Sequence, residues 1–301
     1  NEINLDEIQI GDYVNYTYDI DSASSSYTLE SKYSGYSSNQ TIAQTTGLTW
    51  KVLNVDKEND TVDIISTNPT SSTVTFANIL GYNNGPYLMN EICKAQYSNK
   101  TLGVNARSIN LLDMEKHLTP TGITNRNAYT DAVKYGTTKT YTSNTKYPSL
   151  YAGQKGAGVN VAEANASIIA QPDISKGNDP YEESKAIATT EPTTDSTYGT
   201  ENPLTVTQTY YNIPINEPNY GDAGSVLSNS TWYWVASRYV ATDSDYAGFG
   251  LRNAGTCTDA RIMFGSDGYT GDNFNSLRPV VSLSSSILSE TKDASEAWNL
   301  K

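Results

Sequence analysis

The chain has 301 residues, room for one large domain or two ordinary ones. Its 20 Lys and Arg stand against 33 Asp and Glu, and the resulting formal charge of −13 argues against nucleic acid or an anionic membrane as partner, since both would repel it. Only 18% of residues are charged; Ser, Thr, Asn and Tyr fill the shortfall, and with a mean hydropathy of −0.52 this suits a soluble extracellular surface better than a cytoplasmic enzyme.

In chain order, the opening NEINLDEIQIGDY has no Met, no basic stretch and no apolar run of signal-peptide length. Such a start suits a processed chain, or one relieved of a signal peptide, a lipoprotein tether or a pilin-like helix. No window reaches the ~18 consecutive apolar residues of a membrane span, so no direct membrane insertion of this segment is expected. IGDYVNYTYDI (10–20) and TWKVLNVDKENDTVDIIST (49–67) read as strands by their β-branched and aromatic content. Val52, Val55, Val62, Ile64 and Ile65 flank a DKEND turn, so Trp50–Ser66 is expected to be a hairpin. Between them, residues 22–40 read as a polar loop. Leu88, Ile92 and Ala95 then predict a short amphipathic helix following a GYNNGP turn (81–86), ending near Tyr97. Residues 108–118 (SINLLDMEKHL) predict a second short helix with Ile109, Leu112 and Leu118 inward.

Residues 119–203 differ in composition: they are rich in Thr, Tyr, Asn and Gly, and TTEPTTDSTYGTENP (189–203) carries too little apolar area to order itself. They read as a long polar insertion over a core, or as a variable surface loop. From 204 to 301 short strands return with turns about ten residues apart, which indicates an antiparallel sheet. The chain therefore divides into an N-terminal strand and helix part of the core (1–118), the insertion (119–203) and a C-terminal sheet region (204–301). Helices early and strands late make the fold class α+β.

The chemistry-bearing residues are few. Cys93 and Cys257 either close a loop of about 164 residues, which chain entropy values at about 4–5 kcal/mol, or are two buried thiols; the sequence leaves both open. The Asn-x-Ser/Thr sites at Asn15, Asn39, Asn59, Asn99, Asn165 and Asn229 arise by chance in so Asn- and Thr-rich a chain. His117 has no triad partner and suits a helix-capping or surface role. In TWYWVAS (231–237), Trp232 and Trp234 share one strand face and read as core, while Tyr233 is the better candidate for an exposed aromatic. Phe249 and Leu251 oppose Arg252, and Ile262 and Phe264 oppose Arg261 and Met263 by the same alternation. That face offers Tyr233, Arg252 and Arg261, with Tyr246, Asp267, Tyr269, Asp272 and Asn275 near its ends. Aromatic rings and planar donors of this kind suit recognition, although a solvated sheet face would look the same. Asp267, Asp272, Asn273 and Asn275 carry oxygens that calcium could use, but the spacing misses an EF-hand and such clusters more often make turns. No other cofactor is implied.

Trp232–Arg238 (WYWVASR), Phe249–Arg252 (FGLR), Gly265–Gly268 (GSDG) and Leu277–Leu283 (LRPVVSL), in this order, carry a resemblance. Upstream, Gly11–Val14, Trp50–Leu53, Gly81–Asn84, Asn90–Cys93 and Ala106–Ser108 extend it over about two thirds of the chain. The chain resembles Firmicute-type surface and phage-encoded proteins whose C-terminal domain is similar to C-type-lectin-like and formylglycine-generating-enzyme-like folds. The resemblance implies a mixed fold with a small antiparallel sheet presenting binding loops between Tyr233 and Asn275. Some of these proteins are retroelement-diversified and some sit on pilin-like anchors. The sulfatase-modifying activity of the wider fold needs a cysteine pair in one site; Cys93 and Cys257 stand in different motifs, so that activity is not expected. Glu217, Pro218 and Asn219 match a sugar-binding triplet but precede the expected loop, and read as coincidence.

The expectation is thus a C-type-lectin-like fold with two short helices and a long polar insertion. Its function would be a non-enzymatic, extracellular or surface-displayed adhesion protein for a host or cell-surface protein or glycan. The rival is a structural subunit of a pilus, filament or phage particle that self-associates. A glycan hydrolase working through two carboxylates is a distant third, because no acidic residue stands out.

Overall fold

The computed structural model describes residues 3–142, 145–148, 195–198 and 204–301. The DKEND segment makes the expected hairpin: Trp50–Asp56 pairs with Thr61–Ser66, with Trp50 opposite Ser66 and Asp56 opposite Thr61. Asp56 holds the turn by accepting hydrogen bonds from the Glu58 and Asn59 amides, and Asp60 takes the left-handed backbone the turn needs. This hairpin is the middle of a seven-stranded sheet. Its order is Leu288–Lys292, Trp298–Leu300, Tyr13–Val14, Trp50–Asp56, Thr61–Ser66, Pro279–Ser284 and Ala106–Ser108. A second sheet of five strands runs Thr258–Gly265, Ala247–Ala254, Tyr233–Thr242, Asp272–Ser276 and Thr73–Ala77. Instead of one small antiparallel sheet there are two larger ones, each with one parallel pair, and each takes strands from both ends of the chain. The mixed α+β class stands.

Three apolar layers follow from strand alternation. Leu53, Ile65 and Val280 of the large sheet meet Tyr233, Val235 and Ala254 of the smaller one, along with Leu111, Met114 and Tyr211. The opposite face of the large sheet buries Val14, Trp50, Val52, Val62, Ile64 and Val281. The outer face of the five-stranded sheet carries Trp234, Val240, Phe249 and Leu251 against Leu88, Met89, Ile92 and Cys93 of a long helix. Each such side chain, fully buried, is worth about 1.5–3 kcal/mol. Trp234 adds a hydrogen bond from its indole nitrogen to the Val74 carbonyl at 2.8 Å.

That helix runs from Asn78 to Tyr97 and passes straight through GYNNGP, where a turn was expected. The glycines are there for close approach. A Cβ on Gly85 would lie 2.5 Å from Leu251 Cδ1, and one on Gly81 would lie 3.0 Å from both Phe76 Cβ and the Ser34 carbonyl oxygen. Pro86 cannot donate to the carbonyl four residues back, that of Tyr82. The buried Arg238 takes over: its Nε donates to Tyr82 O at 2.7 Å, with the guanidinium 5.6 Å from the Tyr82 ring.

Other expectations are corrected by packing. Residues 22–40 are no simple polar loop: Ser26–Leu29 pairs with Gln40–Ala43, which buries Leu29 and Ile42 against the long helix. The second helix is only Leu111–Glu115, capped by Asn110, and turns Leu111 and Met114 inward rather than Leu112. The two helices expected are joined by others, including Pro120–Ala128 and the short Ala223–Leu227. Part of the expected insertion is core: Thr138–Tyr141 pairs with Leu204–Thr207, and Tyr141, Leu204 and Val206 are buried in the outer layer. Asp195–Tyr198, within the segment expected not to order itself, pairs with Thr145–Pro148, because a backbone ladder needs no apolar side chains. Residues 149–194 lie outside the described residues. Cys93 and Cys257 are not a disulfide; both are free thiols, Cys93 fully buried in the helix–sheet core and Cys257 in the turn before Thr258–Gly265. No described helix is long and apolar enough to cross a membrane.

Candidate functional site

Tyr233, Val235, Tyr239 and Ala241 stand opposite Ala254, Arg252, Gly250 and Gly248. Alternating residues on Ala247–Ala254 share a face, so these eight positions lie on one side of the five-stranded sheet. An irregularity at Ala236 and Ser237 keeps the two halves of the strand in phase; there the Ile109 carbonyl accepts from Ala236 N, and Ser237 Oγ accepts from Leu111 N. The half around Tyr233 is roofed by the large sheet. The half around Tyr239 is not, and opens as a cleft of about 280 Å³.

The floor of the cleft depends on two missing side chains. A Cβ on Gly250 would meet Tyr239 Cε1 at 2.5 Å, so the Tyr239 ring lies down on the sheet there. Over Gly248 the space is taken by Ile262, whose Cδ1 sits 3.0 Å from where a Cβ would be. Ile262 reaches this face through a bulge: Phe249 opposes Phe264 while Gly250 opposes Ile262, so Met263 is the extra residue and turns into the core. Ile262 and Phe264 therefore do not share a face, as simple alternation had them.

One wall is Tyr210, Asp259 and Arg261. Tyr210 donates to Asp259 Oδ1 at 2.9 Å, and Arg261 Nη1 pairs with Asp259 Oδ2 at 2.8 Å. Tyr210 also packs on Tyr239 and Tyr129, with ring centroids 5.7 and 5.5 Å apart. The other wall is Asp243 and Tyr246, closed into a turn by the Asp243 amide donating to the Tyr246 carbonyl. Asp131 and Ala132 form the lip, and buried Gln208 fixes Thr242 from below by accepting its amide and hydroxyl. Burial, and then the neighbouring Asp259 carboxylate, raise the Tyr210 phenol far above its ordinary value; burial raises Tyr239 likewise. Both hydroxyls are neutral at pH 7. Tyr210 spends its proton on Asp259, whereas no described residue partners the Tyr239 hydroxyl, although that residue is only 2% exposed.

The sequence candidates separate into groups. Tyr246 and Arg261 line the cleft. Asp267 lies beside it, close to Tyr246 across Gly265, and accepts the Tyr269 amide in a tight turn. Tyr269 and Asp272 are exposed at the sheet's end, with the Tyr269 hydroxyl lying over Gly271. Tyr233, Arg252 and Asn275 do not line the cleft and are buried in structural contacts. The Tyr233 hydroxyl donates to Leu227 O at 2.6 Å and its ring lies 4.9 Å from the Arg278 guanidinium. Arg252 stacks on Tyr211 and donates to Thr209 O at 2.5 Å. Asn275 accepts from Asn253. Asp272, Asn273 and Asn275 share one strand, whose alternation puts Asp272 on one face and Asn273 and Asn275 on the other, so the three do not gather around one calcium ion.

Sequence reading missed Tyr239, Tyr210, Asp131, Asp243 and Asp259, which come from segments far apart in the chain. The signal that was available is the Gly-x-Gly in Ala247–Ala254, which marks a place where something lies on the sheet. His117 is neither a surface residue nor a cap: it is partly buried with its Nε2 unpartnered, and burial lowers its pKa. Asn219 is buried and bonded to Pro214 O and Asn125, consistent with a structural part for the Glu217–Asn219 triplet. Three other recesses are larger, of about 450, 340 and 520 Å³, and in the first and last of these some polar groups are already paired. In one of about 450 Å³, Lys100 pairs with Asp21; in one of about 520 Å³, Tyr16 donates to Tyr97 O and Asn15 to Asp293 and Asn299. Comparison with protein-family models, curated proteins and solved structures finds no match to this chain.

Proposed function

We propose that this is a secreted or surface-displayed, non-enzymatic recognition protein with a C-type-lectin-like arrangement, and that the Tyr239 cleft is where it holds its ligand. The observation that carries the reading is a rigid aromatic floor whose hydroxyl has no described partner, beside unspent carboxylates. A neutral hydroxyl at the floor of a cleft, committed to no other described residue, is open to a hydrogen bond from a ligand. Tyrosine gives ring area and a polar tip with little entropy to lose, which is what a recognition surface needs. A host or cell-surface protein or glycan is the partner class in view.

A binding array of proteins and glycans tests this, using the wild-type chain and a Tyr239→Phe/Tyr246→Ala variant. Specific binding that the variant loses at unchanged thermal stability supports the reading. Silence of the wild type, or binding the variant retains, overturns it.

A second reading, a self-associating subunit of a filament or particle, draws on a different surface. Phe274 is 65% exposed and Tyr269 52% exposed near the same sheet end. Concentration-dependent sizing, abolished by Phe274→Ser, would favour it.

A further inference from the structure

We infer that the cleft takes a basic group, the guanidinium or ammonium of an Arg or Lys side chain presented by a protein partner; this rests on the recognition reading above. The charges of the cleft divide into spent and unspent. Asp259 is held by Arg261 and by the Tyr210 hydroxyl. Asp131 and Asp243 also line the cleft, and among the described residues no Lys or Arg pairs with either carboxylate. The ammonium of Lys139 is held by backbone oxygens, donating to Asp243 O and to Ser244 O. Asp243 uses one carboxylate oxygen on the Ser244 amide and keeps the other.

Tyr246 stands among acidic groups. Its phenol is raised first by burial and then by the Asp243, Asp267 and Asp131 carboxylates, with no cation among the causes. A cation brought there meets the Asp131 and Asp243 carboxylates beside the Tyr246 ring, an arrangement that attracts a guanidinium or ammonium. The Tyr239 hydroxyl, neutral at pH 7, offers it an oxygen lone pair. A neutral sugar would fit the volume but leave both unspent carboxylates without a countercharge. The net charge of −13 draws basic partners from a distance and raises their rate of encounter.

The test uses small probes on the intact chain, followed by NMR of labelled tyrosine: N-acetyl-arginine amide, N-acetyl-lysine amide, the neutral isostere N-acetyl-citrulline amide, and galactose. Arginine or lysine amide is expected to shift the Tyr239 and Tyr246 signals, with citrulline about tenfold weaker or worse. Asp131→Asn/Asp243→Asn, which changes accessible side chains and not the fold, is expected to weaken the cationic probes about tenfold and to flatten their salt dependence. Citrulline or galactose binding as well as arginine, unchanged in the Asn variant, overturns the basic-group assignment and leaves the recognition reading standing. If no probe moves the two tyrosines, the basic-group assignment falls, and the array with the Tyr239→Phe/Tyr246→Ala variant decides the recognition reading separately.

Discussion

Tyr233 and Tyr239 stand six residues apart on one strand and one sheet face, and both are all but inaccessible, yet they have opposite fates. Tyr233 lies under the seven-stranded sheet with its hydroxyl on a carbonyl and its ring against Arg278. Tyr239 lies flat on glycine with its hydroxyl turned to a cleft. The border between the regimes falls between two adjacent residues, since Tyr211 belongs to the inter-sheet core and Tyr210 to the cleft wall. Residue type and alternation are the same in both halves; what differs is whether another layer covers them.

The largest effect should come from removing the anchor of the covered half. Arg278 is buried and donates to the backbone oxygens of Ser66, Thr67, Val226 and Leu227. Arg278→Ala would leave several of these without a donor, and a loss of at least about 3 kcal/mol in denaturant unfolding is expected. Survival at wild-type stability would mean the covered half is not held this way.

The comparison sharpens with one substitution made twice. Tyr233→Phe removes a made hydrogen bond and should cost about 1 kcal/mol, since Arg278 still donates to Leu227 O. Tyr239→Phe removes none and should stay within about 0.5 kcal/mol of wild type by the same measurement. Equal costs would erase the distinction between the covered and the open half of the sheet face.

Alkali probes all the buried phenols together. Burial pushes Tyr97 up to about 12, and raises Tyr210, Tyr211 and Tyr239 as well. A phenol raised in the folded state contributes stability that is complete below its ordinary value of about 10 and is lost as pH rises through the folded value. Unfolding free energy should therefore fall steadily above about pH 10, with most phenolate absorbance appearing only on unfolding. Phenolates forming at ordinary values in a folded chain would contradict the burial.

The smallest effect is an expected zero. With both cysteines free, a reductant should leave the melting temperature unchanged, and alkylation of the native chain should reach Cys257 well before Cys93. A reductant-sensitive melt would restore the pairing.

The local elements were largely legible in the sequence. Val52, Val62 and Ile64 around DKEND specify the hairpin because β-branched alternation and turn chemistry act over a few residues. Trp234 read as core for the same reason. GYNNGP misled because glycine and proline are turn-formers only by default; here the glycines admit Leu251 and Phe76, and a distant arginine occupies the carbonyl that Pro86 leaves. Of the candidate site, Tyr246 and Arg261 were found, while Tyr239 was passed over for Tyr233 on the same strand.

What the sequence by itself determined is the class: a mixed α+β chain with an acidic, tyrosine-rich character, strands where β-branched residues alternate, and aromatic and arginine side chains gathered on the late strands. These follow from short-range sterics and from composition, which act whatever the rest of the chain does. Only the tertiary structure decided which of those side chains are structural and which face a cleft. That choice depends on the coverage of one sheet by another, on a bulge at Met263 that turns Ile262 over, and on bringing Asp131, Tyr210 and Asp259 together. Such contacts join segments far apart in the chain, and no local pattern encodes them.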